Sequence, residues 1–238
     1  MLEKARLAPD LKAIVEGPSL NPTKSAPLKW VLGSVALSAL LAVSDPAIGA
    51  ESADVYLGLY FVASLPRDTQ ALLDGAAARD TVVGNSLGGG LKVGIFPQYT
   101  NRIIGVELEH FGHGGQVTFT VPTGSSVGLR AMTDLTVLNS MVNFLLRYPG
   151  NAIQPYGGAG IGYSSGILTG TDIPGRADRG FETAPAFAHQ FMAGLQGNLT
   201  ERTFLFSEYK YFSANYHWEK LALDFRTHYV LAGIGLRF

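Results

Sequence analysis

The sequence has 238 residues, of which 47% are hydrophobic and 16% charged, with a formal net charge of −1 and no cysteine. The lack of cysteine excludes a disulfide framework and any thiolate metal site, and the near-neutral charge gives no indication of nucleic acid as a partner. The charged fraction is low for a soluble domain, where roughly 25% is usual. Beyond the amino-terminal segment, however, no apolar run approaches the about 18 residues that a transmembrane helix needs. The hydrophobic residues are interleaved with polar ones, which favours strands with one apolar face.

The amino-terminal segment has the pattern of an export signal. Two lysines precede an apolar stretch, Val31 to Val43, which is too short to span a bilayer, and small residues follow it. We predict a secretory signal peptide with cleavage after Ala50, so that 1–50 is leader and 51–238 is one folded domain. The part up to Leu28 is long for a leader, and it is either a genuine leader or the product of a start codon assigned too early.

About eight segments in which apolar and polar residues alternate follow. The predicted strands are 54–64, 87–96, 104–109, 136–148, 153–163, 187–196, 205–211 and 224–238. Successive side chains of a strand point to opposite faces, so each segment has one continuous apolar stripe. Such a stripe faces a protein core in a soluble sandwich and lipid in a membrane barrel, where about 9–11 tilted residues cross the bilayer.

The connections between these strands differ in length in a regular way. Short turns are predicted at 97–101, 149–151 and 198–202, and long loops near 66–85, 113–133, 165–185 and 214–223. Short turns at one end, long loops at the other and an even strand number are typical of outer-membrane barrels. We therefore predict an all-β fold, an eight-stranded antiparallel up-and-down transmembrane β-barrel with short periplasmic turns and long extracellular loops.

Several short motifs occur in an order that resembles a known family. They are Tyr56-Leu57-Gly58-Leu59, Gly89-Gly90-Leu91-Lys92-Val93-Gly94, Val106-Glu107-Leu108-Glu109, the run Gln154 to Tyr163, Ser207-Glu208-Tyr209-Lys210-Tyr211 and Gly235-Leu236-Arg237-Phe238. Together they resemble the eight-stranded OmpA-like and opacity-like outer-membrane barrel domain, over essentially all of 54–238. The resemblance implies a location in the outer membrane, among lipids that include lipopolysaccharide.

The same resemblance implies how the barrel is assembled and what roles are open to it. The terminal aromatic residue would be read by the barrel-assembly machinery, with the apolar stripe of the last strand as the signal: Val230, Ala232, Ile234, Leu236 and Phe238. Members of the family serve as adhesins, surface antigens, envelope stabilisers or small-solute channels. A ligand of the extracellular loops is therefore an open possibility.

The polar face of the strands carries charges. If the apolar stripes face lipid, seven charged residues point inward: Lys92, Glu107, Glu109, Arg147, Glu208, Lys210 and Arg237. Folding the first hairpin about its turn places Lys92 beside Glu107. Eight strands leave an interior just wide enough for side chains, so buried charges must pair. We predict a network that fills the barrel as a structural plug; the alternative is a gated ion path lined by the same charges.

No catalytic, cofactor or metal site is predicted. His110 and His113 could be metal ligands, or could supply a base for Ser140 in the manner of an outer-membrane lipid hydrolase, but no flanking motif of such an enzyme is present. The sequence therefore predicts a non-enzymatic surface or envelope-structural barrel. A small porin-like channel and a lipid-modifying hydrolase are the alternatives.

Overall fold

The computed structural model describes residues 53–67, 69–121, 129–150, 152–172 and 180–238. The predicted leader lies outside these residues. Within them, no helix is both long and apolar enough to cross a membrane.

Eleven strands make up one sheet. They are β1 Ala53–Pro66, β2 Gln70–Leu73, β3 Ala76–Ala77, β4 Arg79–Val83, β5 Ser86–Pro97, β6 Ile104–Val121, β7 Leu129–Arg147, β8 Ile153–Asp172, β9 Phe181–Asn198, β10 Thr203–Trp218 and β11 Leu221–Arg237. The eight long strands pair in the order β1-β5-β6-β7-β8-β9-β10-β11, and β11 pairs back with β1. All of these pairings are antiparallel, so the predicted eight-stranded up-and-down barrel is confirmed.

The alternation of each strand sorts its side chains between the outside and the interior. In the first part of β6, Val106 and Leu108 are 38% and 55% exposed, whereas Glu107 and Glu109 are 0% and 3% exposed. A protein in water would bury the apolar pair and expose the carboxylates. The reversed arrangement suits a wall with lipid outside, where the apolar side chains stay in contact with hydrocarbon.

The strands continue well beyond this apolar band. In the last part of β6, Val117 and Phe119 are 2% and 1% exposed, while the exposed Gln116 points outward. Odd-numbered residues still face inward here. The inward residues are now apolar and the outward ones polar, because this tier of the barrel faces water.

The predicted long loops are therefore wrong in extent. Strands occupy much of 113–133 and 165–185, and β10 and β11 are joined by Glu219 and Lys220 alone in place of a loop at 214–223. Their Gly, Ser and Thr content is typical of loops, but the side chains alternate as a strand requires. Residues 122–128 and 173–179 lie outside the described residues.

The first predicted loop, 66–85, holds the three short strands. Strand β2 pairs with Leu221–Asp224 of β11, beyond the last contact of β11 with β1, and β4 pairs with β6 beyond its last contact with β5. These short strands continue the wall where β1 and β5 end. We call the strand parts beyond these pairings, such as 114–121 of β6 and 221–226 of β11 at the end predicted to be extracellular, the extracellular tier.

The register of the first hairpin differs from the prediction by two residues. Lys92 lies opposite Glu109, and Glu107 lies opposite Gly94. The turn is longer than expected because a single 3-10 turn at Gln98–Thr100 is followed by Asn101 and Arg102 in the left-handed conformation. A shift of two residues keeps every side chain on its face, so the inward assignment is unaffected.

Candidate functional site

Five charged residues meet in the interior of the barrel. We call Lys92 of β5, Glu107 and Glu109 of β6, and Glu208 and Lys210 of β10 the charge network. Each is between 0% and 3% exposed. All five occupy positions of their strands whose side chains point inward, and they lie at similar distances from the short turns.

Each ammonium group of the network contacts two carboxylates. Lys92 Nζ lies 3.0 Å from Glu208 Oε2 and 3.4 Å from Glu107 Oε2. Lys210 Nζ lies 2.9 Å from Glu208 Oε1 and also pairs with Glu109. Glu208 therefore joins the two lysines, and the five side chains form one connected set. Lys92 also lies 4.2 Å from the centre of the Phe206 ring, a cation–π contact.

Neutral donors complete the hydrogen bonding of the three carboxylates. Tyr56 donates to Glu107, Tyr60 donates to Glu109, and Tyr156 donates to Glu208 at 2.6 Å. Asn143 Nδ2 donates to both Glu107, at 2.9 Å, and Glu109, at 3.0 Å. Gln190 Nε2 donates to Glu109 at 2.9 Å. These donors matter because three carboxylates face only two ammonium groups, and the excess negative charge must be held by hydrogen bonds.

The sequence alone does not single out these neutral partners. Like the charged residues, they occupy strand positions whose side chains point inward. That alternation is the one signal that could have identified them. Two glycines make room for the tyrosines. A Cβ on Gly94 would lie 2.4 Å from the Tyr56 ring, and one on Gly90 would lie 2.6 Å from the Tyr60 ring.

Arg147 and Arg237 stand apart from the charge network. They lie at the short-turn end of the barrel, where both pair with Asp54: Arg147 Nη2 is 2.7 Å from Asp54 Oδ2, and Arg237 Nε is 3.3 Å from Asp54 Oδ1. The seven predicted interior charges thus divide into five and two. Asp54, the partner of the second group, was not among them.

An aromatic layer lies on the other side of the network. Phe111 and Phe212 contact the Tyr229 ring at centroid distances of 5.2 and 5.5 Å, and Phe212 also contacts Phe225 at 6.3 Å. All four rings are at most 2% exposed. Side chains of the extracellular tier, such as Phe119, continue this apolar filling.

On the turn side of the network, a cavity of about 10 Å³ lies between Tyr56, Lys92, Tyr156 and Phe204. A single water needs about that much room. The barrel interior at this level is packed with side chains.

The chain matches the family model of the outer membrane protein beta-barrel domain over residues 33–238. The protein belongs to this outer-membrane barrel family. Its location is therefore the outer membrane, and the family resemblance of the sequence motifs is confirmed. A comparison with curated proteins gives no match.

The chain is similar to several solved structures, and the first of these shares its fold. The outer membrane protein OprG from Pseudomonas aeruginosa is 20% identical, with a TM-score of 0.55, over 79% of this chain and 96% of its own. Neisserial surface protein A is 12% identical, with a TM-score of 0.47, over 77% and 97%. The attachment invasion locus protein Ail of Yersinia pestis is 16% identical, with a TM-score of 0.38, over 79% and 99%.

The last strand of this family member presents its apolar stripe to the outside. Val230, Ile234, Leu236 and Phe238 are 48% to 56% exposed. The backbone N–H of Phe238 donates to the carbonyl of Val55 at 3.0 Å, so the terminal residue is fixed to β1.

The two candidate histidines point to opposite faces of the wall. His110 faces outward, with Nδ1 at 2.8 Å from Ser140 Oγ. His113 faces inward, where Nε2 lies 2.8 Å from Tyr229 Oη and Nδ1 lies 2.9 Å from Ser86 Oγ. They do not converge on a common point, and the described residues contain no group of three or more potential metal ligands.

Proposed function

We propose that this protein is a non-conducting, non-enzymatic outer-membrane barrel with a surface or envelope-structural role. In this proposal the charge network is a structural plug, and the extracellular tier is the part that the barrel presents to the outside. The observation that carries the proposal is that Glu208 contacts both Lys92 and Lys210 in the buried interior. Charges that satisfy one another need no water, whereas the lining of an ion path must exchange its partners for ions and water.

The channel alternative requires a water-filled route along the barrel axis. Eight strands leave little free lumen, and the aromatic layer packs directly beyond the network. The interior cavity at the network holds room for about one water. These features support the plug.

Conductance in planar bilayers tests this proposal directly. We expect no discrete current steps from the wild-type barrel under conditions in which an open porin, reconstituted in parallel, gives them. The variant Lys92→Met should also be silent. Ion-selective steps that change with Lys92→Met would contradict the plug and favour the channel.

The surface role is tested by binding. The extracellular tier has a water-facing wall, and a ligand on this side would contact it or the segments 122–128 and 173–179. Cells that produce the barrel should bind host-surface or envelope material more than cells that produce a variant with both segments replaced by short Gly-Ser links. Equal binding by the two would assign the contact to the wall. Binding no greater than that of cells without the barrel would argue for a purely structural role.

We also propose that the last strand is the assembly signal. Phe238→Ser should reduce the amount of folded barrel in the outer membrane of cells, because recognition of the terminal residue is lost. Refolding of the purified variant in micelles should proceed normally. A matched change at the exposed Phe61, which is also outward-facing, should leave assembly in cells unaffected.

One contact favours a second candidate, a lipid-modifying hydrolase. His110 and Ser140 form a hydrogen-bonded pair on the lipid-facing side of the wall. A Ser–His pair can activate a hydroxyl nucleophile, although it normally needs a third group to orient the histidine. No acidic side chain of the described residues is hydrogen-bonded to His110. This candidate is tested by mass analysis of outer-membrane lipids from cells that produce the wild-type or the Ser140→Ala protein. Identical lipids in the two would eliminate the hydrolase.

A further inference from the structure

Four arginines converge at the short-turn end of the barrel. They line a cavity of about 620 Å³ together with Asp54 and Glu201: Arg102, Arg147, Arg202 and Arg237. The backbone explains the convergence. Arg147 N–H donates to the carbonyl of Ile103, next to Arg102, and Arg237 N–H donates to the carbonyl of Arg202. The cavity therefore has four guanidinium groups and two side-chain carboxylates, and Phe238 also lines it.

The hydrogen bonds inside the cavity leave donors unused. Arg147 is 3% exposed; its Nη2 donates to Asp54, and its guanidinium lies 3.8 Å from the centre of the Phe96 ring. Its Nε and Nη1 are buried and have no hydrogen-bond partner among the described residues. An unpaired buried guanidinium edge is costly. Nε and Nη1 are sealed from solvent, so a shift of the Arg147 side chain toward the cavity would let a bound oxyanion satisfy them.

Arg237 is held by three neighbouring side chains. Its Nη2 donates to Asn198 at 2.9 Å and to Gln154 at 3.2 Å, and its Nε lies near Asp54. Asp54 is thus shared between two arginines. Arg102 and Arg202 stand on exposed turns at the rim of the same cavity, where their fork-shaped donors can reach a ligand.

We propose that this cavity binds one phosphate group, held by the free edge of Arg147 and by Arg102 and Arg202. Guanidinium groups recognise phosphate through paired N–H donors, and several arginines around one anion are a common phosphate site. The turn end lies at the periplasmic surface, where the apolar outer band stops. The phosphate can therefore come from a phospholipid headgroup of the inner leaflet or from solution. This site does not depend on the proposed plug.

Titration of inorganic phosphate tests the site. The protein is held in maltoside micelles at constant ionic strength set by chloride, and binding is measured by ³¹P NMR and calorimetry. We expect saturable binding of one phosphate per barrel. The double variant Arg102→Gln/Arg202→Gln should bind at least about tenfold more weakly, because two charged donors are lost. Both residues are exposed, so this variant should fold.

Two further variants separate the site from general charge effects. Arg147→Lys keeps the charge but loses the planar fork, and we expect severalfold weaker binding. Arg226→Gln removes an exposed arginine at the far end of β11, where it pairs with Asp224 at 2.8 Å. That variant should bind phosphate like the wild type.

A lipid arm identifies the source of the phosphate. Native mass spectrometry follows retention of phosphatidylglycerol and of a glycolipid without phosphate, in wild type and in the double variant. Selective retention of phosphatidylglycerol assigns a headgroup, and binding of free phosphate alone assigns a soluble ligand. The proposal would be overturned if neither phosphate nor phosphatidylglycerol bound saturably. It would also be overturned if the double variant bound them as tightly as the wild type.

Discussion

Lys92 Nζ and Glu208 Oε2 lie 3.0 Å apart although β5 and β10 are not neighbours in the ring of strands. Strands β1 and β11 separate them along the wall, so the contact crosses the interior. Backbone hydrogen bonds join each strand only to its neighbours. The charge network adds ion pairs between strands that are not neighbours in the sheet.

The first prediction concerns the ion pair between Lys92 and Glu208. Lys92→Met removes one of the two cations that face Glu208 and leaves buried carboxylate uncompensated, which should destabilise the barrel by about 3–5 kcal/mol. Lys92→Met/Glu208→Gln should cost less than the sum of the two single changes. A double-mutant cycle from urea unfolding in micelles should give a coupling of about 1 kcal/mol or more. Additive effects below about 0.5 kcal/mol would show that water solvates these groups.

The second prediction concerns the aromatic layer. Phe212 is 0% exposed and contacts Phe111, Phe225 and Tyr229, so Phe212→Ala should cost about 3–5 kcal/mol by leaving a cavity. Phe61 is the matched control, because it is an outward-facing phenylalanine that is 84% exposed. Phe61→Ala should have a much smaller effect in the same unfolding experiment. Equal losses at both positions would mean that the layer is loosely packed.

The sequence predicted the facing of the strands better than their length. Inside the membrane, apolar residues such as Val142 alternate with polar ones such as Asn143, and period two assigns the faces without further information. In the extracellular tier the same parity holds, but Phe119 points inward and Gln116 outward. The apolar outer stripe ends where lipid ends, so the pattern of the sequence predicts loops where these strands continue.

The site was predictable in its charges and not in its contacts. The inward parity identified the seven charged residues, but their partners depend on register and on the stagger of strands around the ring. The turn ends at Ile103, two residues later than expected, and Lys92 therefore lies opposite Glu109. The contact of Lys92 with Glu208 across the interior depends on the closure of the barrel, which no local pattern encodes.

The third prediction concerns the glycines that face the network. Gly94→Ala would place a Cβ 2.4 Å from the Tyr56 ring, so the tyrosine must move and its hydrogen bond to Glu107 should be lost. We expect a destabilisation of about 1–3 kcal/mol, the usual cost of overpacking. Gly197→Ala is the control, since a Cβ there meets no atom within 4 Å. Unfolding curves of the two variants should differ clearly, and similar curves would show that Tyr56 is free to shift.

The last prediction concerns the orientation of the wall in the bilayer. Val142 is 38% exposed and lies in the apolar band of β7, so Val142→Arg should cost about 2–4 kcal/mol near the middle of the membrane. Asn215→Arg places the same side chain on the exposed outer face of β10, in the extracellular tier, and should change stability little. Spin labels at the two positions give an independent measurement. The label at Val142 should be relaxed by oxygen dissolved in lipid, and the label at Asn215 by a water-soluble nickel complex. If the nickel complex reached Val142 as readily as Asn215, water would contact this face of β7, and the assignment of the apolar side chains to the lipid would be wrong.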